Sequence, residues 1–172
     1  MAMLSLPPAD EFLRRAHLAL GRALSVACNF ESNCRSMAFV LKIKEPKPDG
    51  QSDDESFVEL QKAVLGRLVD LNMLIARRVA MKDDYAQMLH AARDARNYIA
   101  HEAADELERL AKRTADIEEW RSLLEGKLRE LALGKIIIAI LLSRNTAEPT
   151  PTREEIDAYP DQLVAWVTRG DA

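Results

Sequence analysis

Apolar residues in this chain recur every three or four positions over long stretches, and over no useful length do they alternate with a period of two. That spacing lays an apolar stripe along a helix turning about 100° per residue and supplies no strand-forming segment. The cleanest stripe is Phe57, Leu60, Val64, Leu68, Leu71, Ile75 and Val79, with Glu59, Lys62, Arg67 and Asp70 mostly elsewhere on the wheel. Another runs from Asp10 and Glu11 through Leu13, Ala16, Leu20, Leu24, Ala27, Cys34, Ala38 and Leu41, irregular in its middle, and is expected to end near Lys44. A third starts at Asp83-Asp84 and carries Tyr85, Met88, Ala92, Ile99, Ala103, Leu107 and Leu110. A fourth begins near Asp116 and passes Trp120, Leu124, Leu128 and Leu131 into Ile136-Ile137-Ile138-Ala139-Ile140-Leu141-Leu142, stopping at Ser143 to Asn145. A short last helix carries Leu163, Val164 and Trp166, with a bend at Pro160.

Punctuation between the stripes supports this division. Pro7-Pro8 closes an N-terminal tail over 1–8. The stretch 45–54 holds two prolines and a glycine, which cannot continue a helix, and its Ser52 or Asp53 can cap the next one. A second loop, 145–152, ends in Thr152 with Glu155 three residues on, a capping-box pattern. Only 6 of 172 residues are glycine, and Ala, Leu, Arg and Glu dominate, all compatible with helix. The expectation is one all-α domain over 1–172, an antiparallel bundle of four to five helices.

Charge and cysteine usage narrow the function classes. A net charge of −4 argues against a general nucleic-acid coat, while leaving room for an enzyme that touches a few phosphates through a local basic patch. Cys28 and Cys34 are six apart on an expected helix and fit neither a redox pair nor a zinc knuckle, so they read as free thiols in a reducing cytoplasm. The N-terminus lacks a basic segment followed by an apolar core, so no signal peptide is expected. The Ile-rich stretch is about a dozen residues long and carries Lys135, whereas a spanning helix needs about 20, so it reads as a core helix or subunit contact. No cofactor or metal is expected: a ferritin-like carboxylate site needs Glu-x-x-His pairs, and Gln87 and Tyr98 stand where those glutamates would be.

The segment Arg96-Asn97-Tyr98-Ile99-Ala100-His101 carries the chemistry. Only His17, His90 and His101 occur in the chain. Imidazole exchanges protons near neutral pH, and an arginine and an amide beside it suit work on a phosphate ester. On one ideal helix over 81–110, Asn97 and His101 share a face, with His90, Arg93, Asp94 and Asp105 near it. Arg96 lies about 140° from His101, inside the apolar stripe. A guanidinium there needs a partner or an outlet. The helix could break near Ala95 to Asn97, the arginine could contact a group across a helix or subunit interface, or it could be solvated at the stripe's edge. A salt bridge to an acidic neighbour is the plain structural alternative, and a hydrogen-bonded or surface histidine is the plain one for His101.

This segment resembles the signature of HEPN domains (higher eukaryote and prokaryote nucleotide-binding): an arginine, a polar residue that is often asparagine, then a histidine after four to six intervening positions. Four residues intervene here. The resemblance covers the motif directly and the rest of the chain as architecture. It implies a HEPN-like helical bundle and a metal-independent endoribonuclease, with the 2′-oxygen attacking the adjacent phosphorus to leave a 2′,3′-cyclic phosphate. It implies Arg96, Asn97 and His101 as catalytic residues; Arg93 and His90, near the same helix face, are weaker candidates for substrate binding. It also implies RNA as substrate, a homodimer bringing two motifs to one cleft, and a toxin or anti-phage role under an antitoxin or other regulatory partner. Many toxin members carry a tyrosine two residues after the histidine; Ala103 stands there, so control through that tyrosine is not implied. The alternative is a noncatalytic helical bundle that mediates protein association.

Overall fold

Five helices and no strand make up the described residues of the computed structural model, which are 11–43, 75, 79–110 and 114–169. They are α1 (Glu11–Ile43), α2 (Asp83–His101), α3 (Ala103–Leu110), α4 (Thr114–Asn145) and α5 (Arg153–Arg169). The architecture is an all-α bundle. The stripe 57–79 lies outside the described residues except at its end, where Ile75 is helical and fully buried.

Cross-contacts fix the helix directions. Asn29 of α1 accepts a hydrogen bond from Lys135 of α4, while Phe12 and Ala16 line a groove with Ile117 and Trp120, so α1 and α4 run parallel. Gly134 sits against Ala92, and Trp120 Nε1 donates to the Ala103 carbonyl at 3.0 Å, so α2 and α3 run antiparallel to α4. Arg129 pairs with Asp161 and Ser143 with Thr150, which makes α5 antiparallel to α4 as well. Glycine is required at 134: a methyl there would overlap Ala92 Cβ and stand 3.1 Å from Phe30 Cε2. The missing side chain lets α1, α2 and α4 approach just below the motif.

The core is built from small and large apolar residues on the inner faces: Phe30 and Met37 of α1, Leu89 and Ile99 of α2, Trp120, Leu124, Leu128, Leu131 and Ile138 of α4, and Val167 of α5 are all fully buried. Burying each large side chain contributes about 1.5–3 kcal/mol. Within the Ile-rich stretch Ile137 and Ile138 are buried, so it is a core helix in its inner face. No helix among the described residues is long and apolar enough to cross a membrane.

Three local expectations meet the structure differently. The capping box forms: the Glu155 backbone N–H reaches Thr152 Oγ1 at 3.2 Å, and the Thr152 backbone N–H reaches Glu155 Oε2 at 2.7 Å. The Thr152 backbone N–H, with the Thr152 hydroxyl adding to it, holds the Glu155 carboxyl below its usual range. Pro160 lies inside α5. In α2, Tyr85 and Met88 are exposed rather than core, and Leu89, Ala95 and Tyr98 are buried with Ala92 and Ile99. The first turn of α2, with Asp83 and Asp84, stands outside the shared core, so its apolar residues meet solvent.

Neither cysteine forms a disulfide among the described residues, and they differ in setting: Cys28 is exposed and Cys34 buried. Burial, with the nearby Glu31 charge adding to it, pushes the Cys34 thiol up to about 12. A thiolate is the reactive form, so Cys34 is inert in the folded protein at pH 8. Titration with an aromatic disulfide reagent is expected to count one fast thiol in native protein and two after denaturation; two fast thiols in native protein would contradict this core.

Candidate functional site

The motif occupies the last two turns of α2. The helix does not break near Ala95 to Asn97; it continues to His101 and is interrupted at Glu102, whose φ is −117° and ψ −36°. The backbone bond from the Glu102 N–H to the Tyr98 carbonyl is kept, at 2.9 Å, and α3 resumes at Ala103. Two contacts secure this joint. Trp120 ties down the Ala103 carbonyl from α4. The Tyr98 hydroxyl donates to Glu106 Oε2 across the interruption. Burial and that carboxylate push the Tyr98 phenol well above its ordinary range, so it stays protonated as a donor.

Arg96 is the hub of the cluster. Its side chain is 17% exposed and reaches across the α1–α2 interface to pair, through Nη2, with Glu31, itself 15% exposed. Of the possibilities open from sequence, contact across a helix interface is the one observed, and it is also an acidic salt bridge. Glu31 holds Arg35 through its other oxygen, so one carboxylate on α1 joins two arginines. The other terminal nitrogen of Arg96, Nη1, donates to Asn97 Oδ1 at 3.1 Å and lies 3.4 Å from His101 Nε2. The 140° separation on the wheel is overcome by the length of the arginine side chain. Arg96 Nε is buried with no hydrogen-bond partner among the described residues. Leaving such a donor unmatched costs about 1–3 kcal/mol.

Arg96, Asn97 and His101 therefore meet within one chain. Asn97 is half-buried and His101 exposed, so the cluster opens to solvent at the imidazole. With Arg96 donating into Nε2, the neutral imidazole carries its proton on Nδ1. Arg93 pairs with its neighbour Asp94, at 2.9 and 2.6 Å, and its contacts do not join it to the cluster. His90 is half-buried further up α2. Glu31 was not found from sequence: it is 65 residues from Arg96, and its local signal, an i,i+4 pair with Arg35, reads as an ordinary surface bridge. Among the described residues no group of three His, Cys, Asp or Glu side chains is arranged to hold a metal ion.

Replacing Glu31 with glutamine is expected to lower stability by about 1–3 kcal/mol, because Arg96 and Arg35 lose a shared counter-charge at a mostly buried position. The urea midpoint should fall with the slope unchanged. An unchanged midpoint would mean that the pair is solvated in solution.

The chain matches no protein-family model, no curated protein and no solved structure.

Proposed function

We propose that the chain is a metal-independent endoribonuclease of HEPN type, acting at Arg96, Asn97 and His101. The observation that carries this is the convergence of a guanidinium, an amide and an exposed imidazole at one helix end, with Arg96 Nη1 touching both partners. In this reading an incoming phosphate competes for the Arg96 Nη1 proton. That releases the His101 Nε2 lone pair, which takes the 2′-hydroxyl proton while Arg96 steadies the charge building on phosphorus. The 2′-oxygen bonds to phosphorus, the 5′-oxygen leaves with the downstream strand and takes a proton from water, and the product strand ends in a 2′,3′-cyclic phosphate. Asn97 holds the guanidinium in register. Nothing in these steps calls on a metal.

A homodimer that brings two such openings together, and a toxin or anti-phage role held in check by an antitoxin, belong to the same proposal. So does action in the cytoplasm.

The test is product chemistry. Single-stranded RNA incubated with purified protein in EDTA should yield fragments with 2′,3′-cyclic phosphate ends. Fragments bearing 3′-hydroxyl and 5′-phosphate ends, or no fragments at all, would sink the proposal.

A second reading is favoured by one observation: Glu31 already neutralises Arg96 and ties α2 to α1. In that reading the cluster is a structural clasp in a noncatalytic bundle that associates with other proteins. It requires that a His101 variant alter nothing but stability.

A further inference from the structure

A groove of about 520 Å³ opens where the first half of α1, the start of α4 and the end of α5 meet. Its floor is apolar: Ala16, Ala19 and Ile117 are buried there, and Leu18, which also lines it, is 54% exposed. Its charge is one-sided, with Arg15, Arg22, Arg121 and Arg169 against a single carboxylate, Glu118. The chain as a whole carries a net charge of −4, so this gathering of guanidiniums runs against its composition.

These arginines are lightly committed. Arg15 pairs with Glu11 at 3.2 Å, and Arg121 with Glu125 at 3.5 Å and Glu118 at 4.0 Å. The Arg15 pair is exposed and the Arg121 pairs are half-exposed, and ion pairs so open to water are weak and yield to a better-placed carboxylate. Arg22 uses one N–H on the Val167 carbonyl, at 3.5 Å, and the rest of its fork is open. Among the described residues neither Arg22 nor Arg169 is paired with a carboxylate.

We propose that the groove docks an acidic amphipathic helix of a partner protein, with its apolar ridge on the floor and its carboxylates on the arginines. The spacing and the charge carry this together. Arg15 and Arg22 are seven residues apart, so they stack on one side of α1 about 10 Å from each other along the axis. A helix lying along α1 repeats that interval between carboxylates of its own seven residues apart, and puts apolar residues between them into the groove. Each guanidinium fork then holds a carboxylate through paired hydrogen bonds. Arg121 and Arg169 stand on the other side, from α4 and α5, and meet the partner's second flank. A single-stranded nucleic acid suits the groove less: bases stack on aromatic platforms, and the most exposed apolar contact here is the aliphatic Leu18.

The docking surface is separate from the motif and does not rest on ribonuclease activity. Arg22 and Glu31 are nine residues apart on α1, a rotation of about 180°, so the Arg96 cluster lies on the opposite flank.

Fluorescence anisotropy with a labelled, alanine-based helical peptide tests this. The peptide carries two glutamates seven residues apart, with leucine and phenylalanine on the turn between them. At about 0.15 M salt it should bind the full chain, and a counterpart with glutamine for glutamate should bind at least about tenfold more weakly. Arg22→Gln with Arg169→Gln should weaken the glutamate peptide by at least about tenfold. Leu18→Asp should weaken it as well while leaving every arginine in place, and both variants should keep the melting temperature of the unaltered chain. His101→Ala should bind the peptide as the unaltered protein does, whether or not RNA is cleaved. Absence of binding at millimolar peptide, equal affinity for the glutamine peptide, or equal affinity in either groove variant would each overturn the proposal. So would a single-stranded oligonucleotide that binds more tightly than the peptide and loses that affinity in the arginine variant.

Discussion

His101→Ala is expected to slow RNA cleavage by about 10²–10⁴-fold, the range typical for loss of a positioned proton-transfer group. The residue suits a clean test because it is exposed at the end of α2 and buries no apolar surface. Its removal leaves Arg96 still bonded to Asn97 and Glu31, so the melting temperature should hold. Arg96→Ala is less clean. It removes the same guanidinium from the proposed reaction and from the α1–α2 tether, leaving Glu31 mostly buried with only Arg35. Added imidazole should restore part of the His101→Ala rate, since the small base can occupy the space the side chain left. A His101→Ala protein that cleaves RNA as fast as the unaltered chain would remove the histidine from the chemistry and leave the clasp reading standing.

The second large effect is structural. Trp120→Ala is expected to cost about 3–5 kcal/mol, the usual penalty for truncating a buried aromatic. Trp120 is 1% exposed, the largest fully buried side chain in the bundle, and its indole N–H holds the Ala103 carbonyl. The deletion therefore opens a cavity and unpins the start of α3, two residues past His101. Urea denaturation should show the lost stability in the midpoint, and amide exchange should show α3 and the end of α2 opening more often than α5. A loss below about 1 kcal/mol would mean that the core closes over the space and that the joint does not depend on the indole.

The helical architecture was legible because it follows from local periodicity. The stripe from Leu13 to Leu41 falls on α1, and Thr152 with Glu155 anticipated the start of α5. The interruption at Glu102 was not legible. No proline or glycine stands between Asp83 and Leu110, and the Glu102 N–H still makes its helical bond, so the joint is held from outside by Trp120 and by the Tyr98–Glu106 bridge. The same limit applied to the site. Asn97 and His101 were paired by spacing alone, but a wheel carries only Cβ directions and could not show that the Arg96 guanidinium reaches both Glu31 and His101. Tyr85 and Met88 failed for a related reason: periodicity gives a stripe's angle, not how far along the helix its partners extend.

The most direct measurement is cleavage in EDTA of a single-stranded RNA beside its all-deoxy counterpart of the same sequence. Attack by the 2′-oxygen requires that the RNA be cut and the DNA stay whole over the same time course. Cutting of both strands, or of neither, would contradict a metal-independent site built on Arg96, Asn97 and His101.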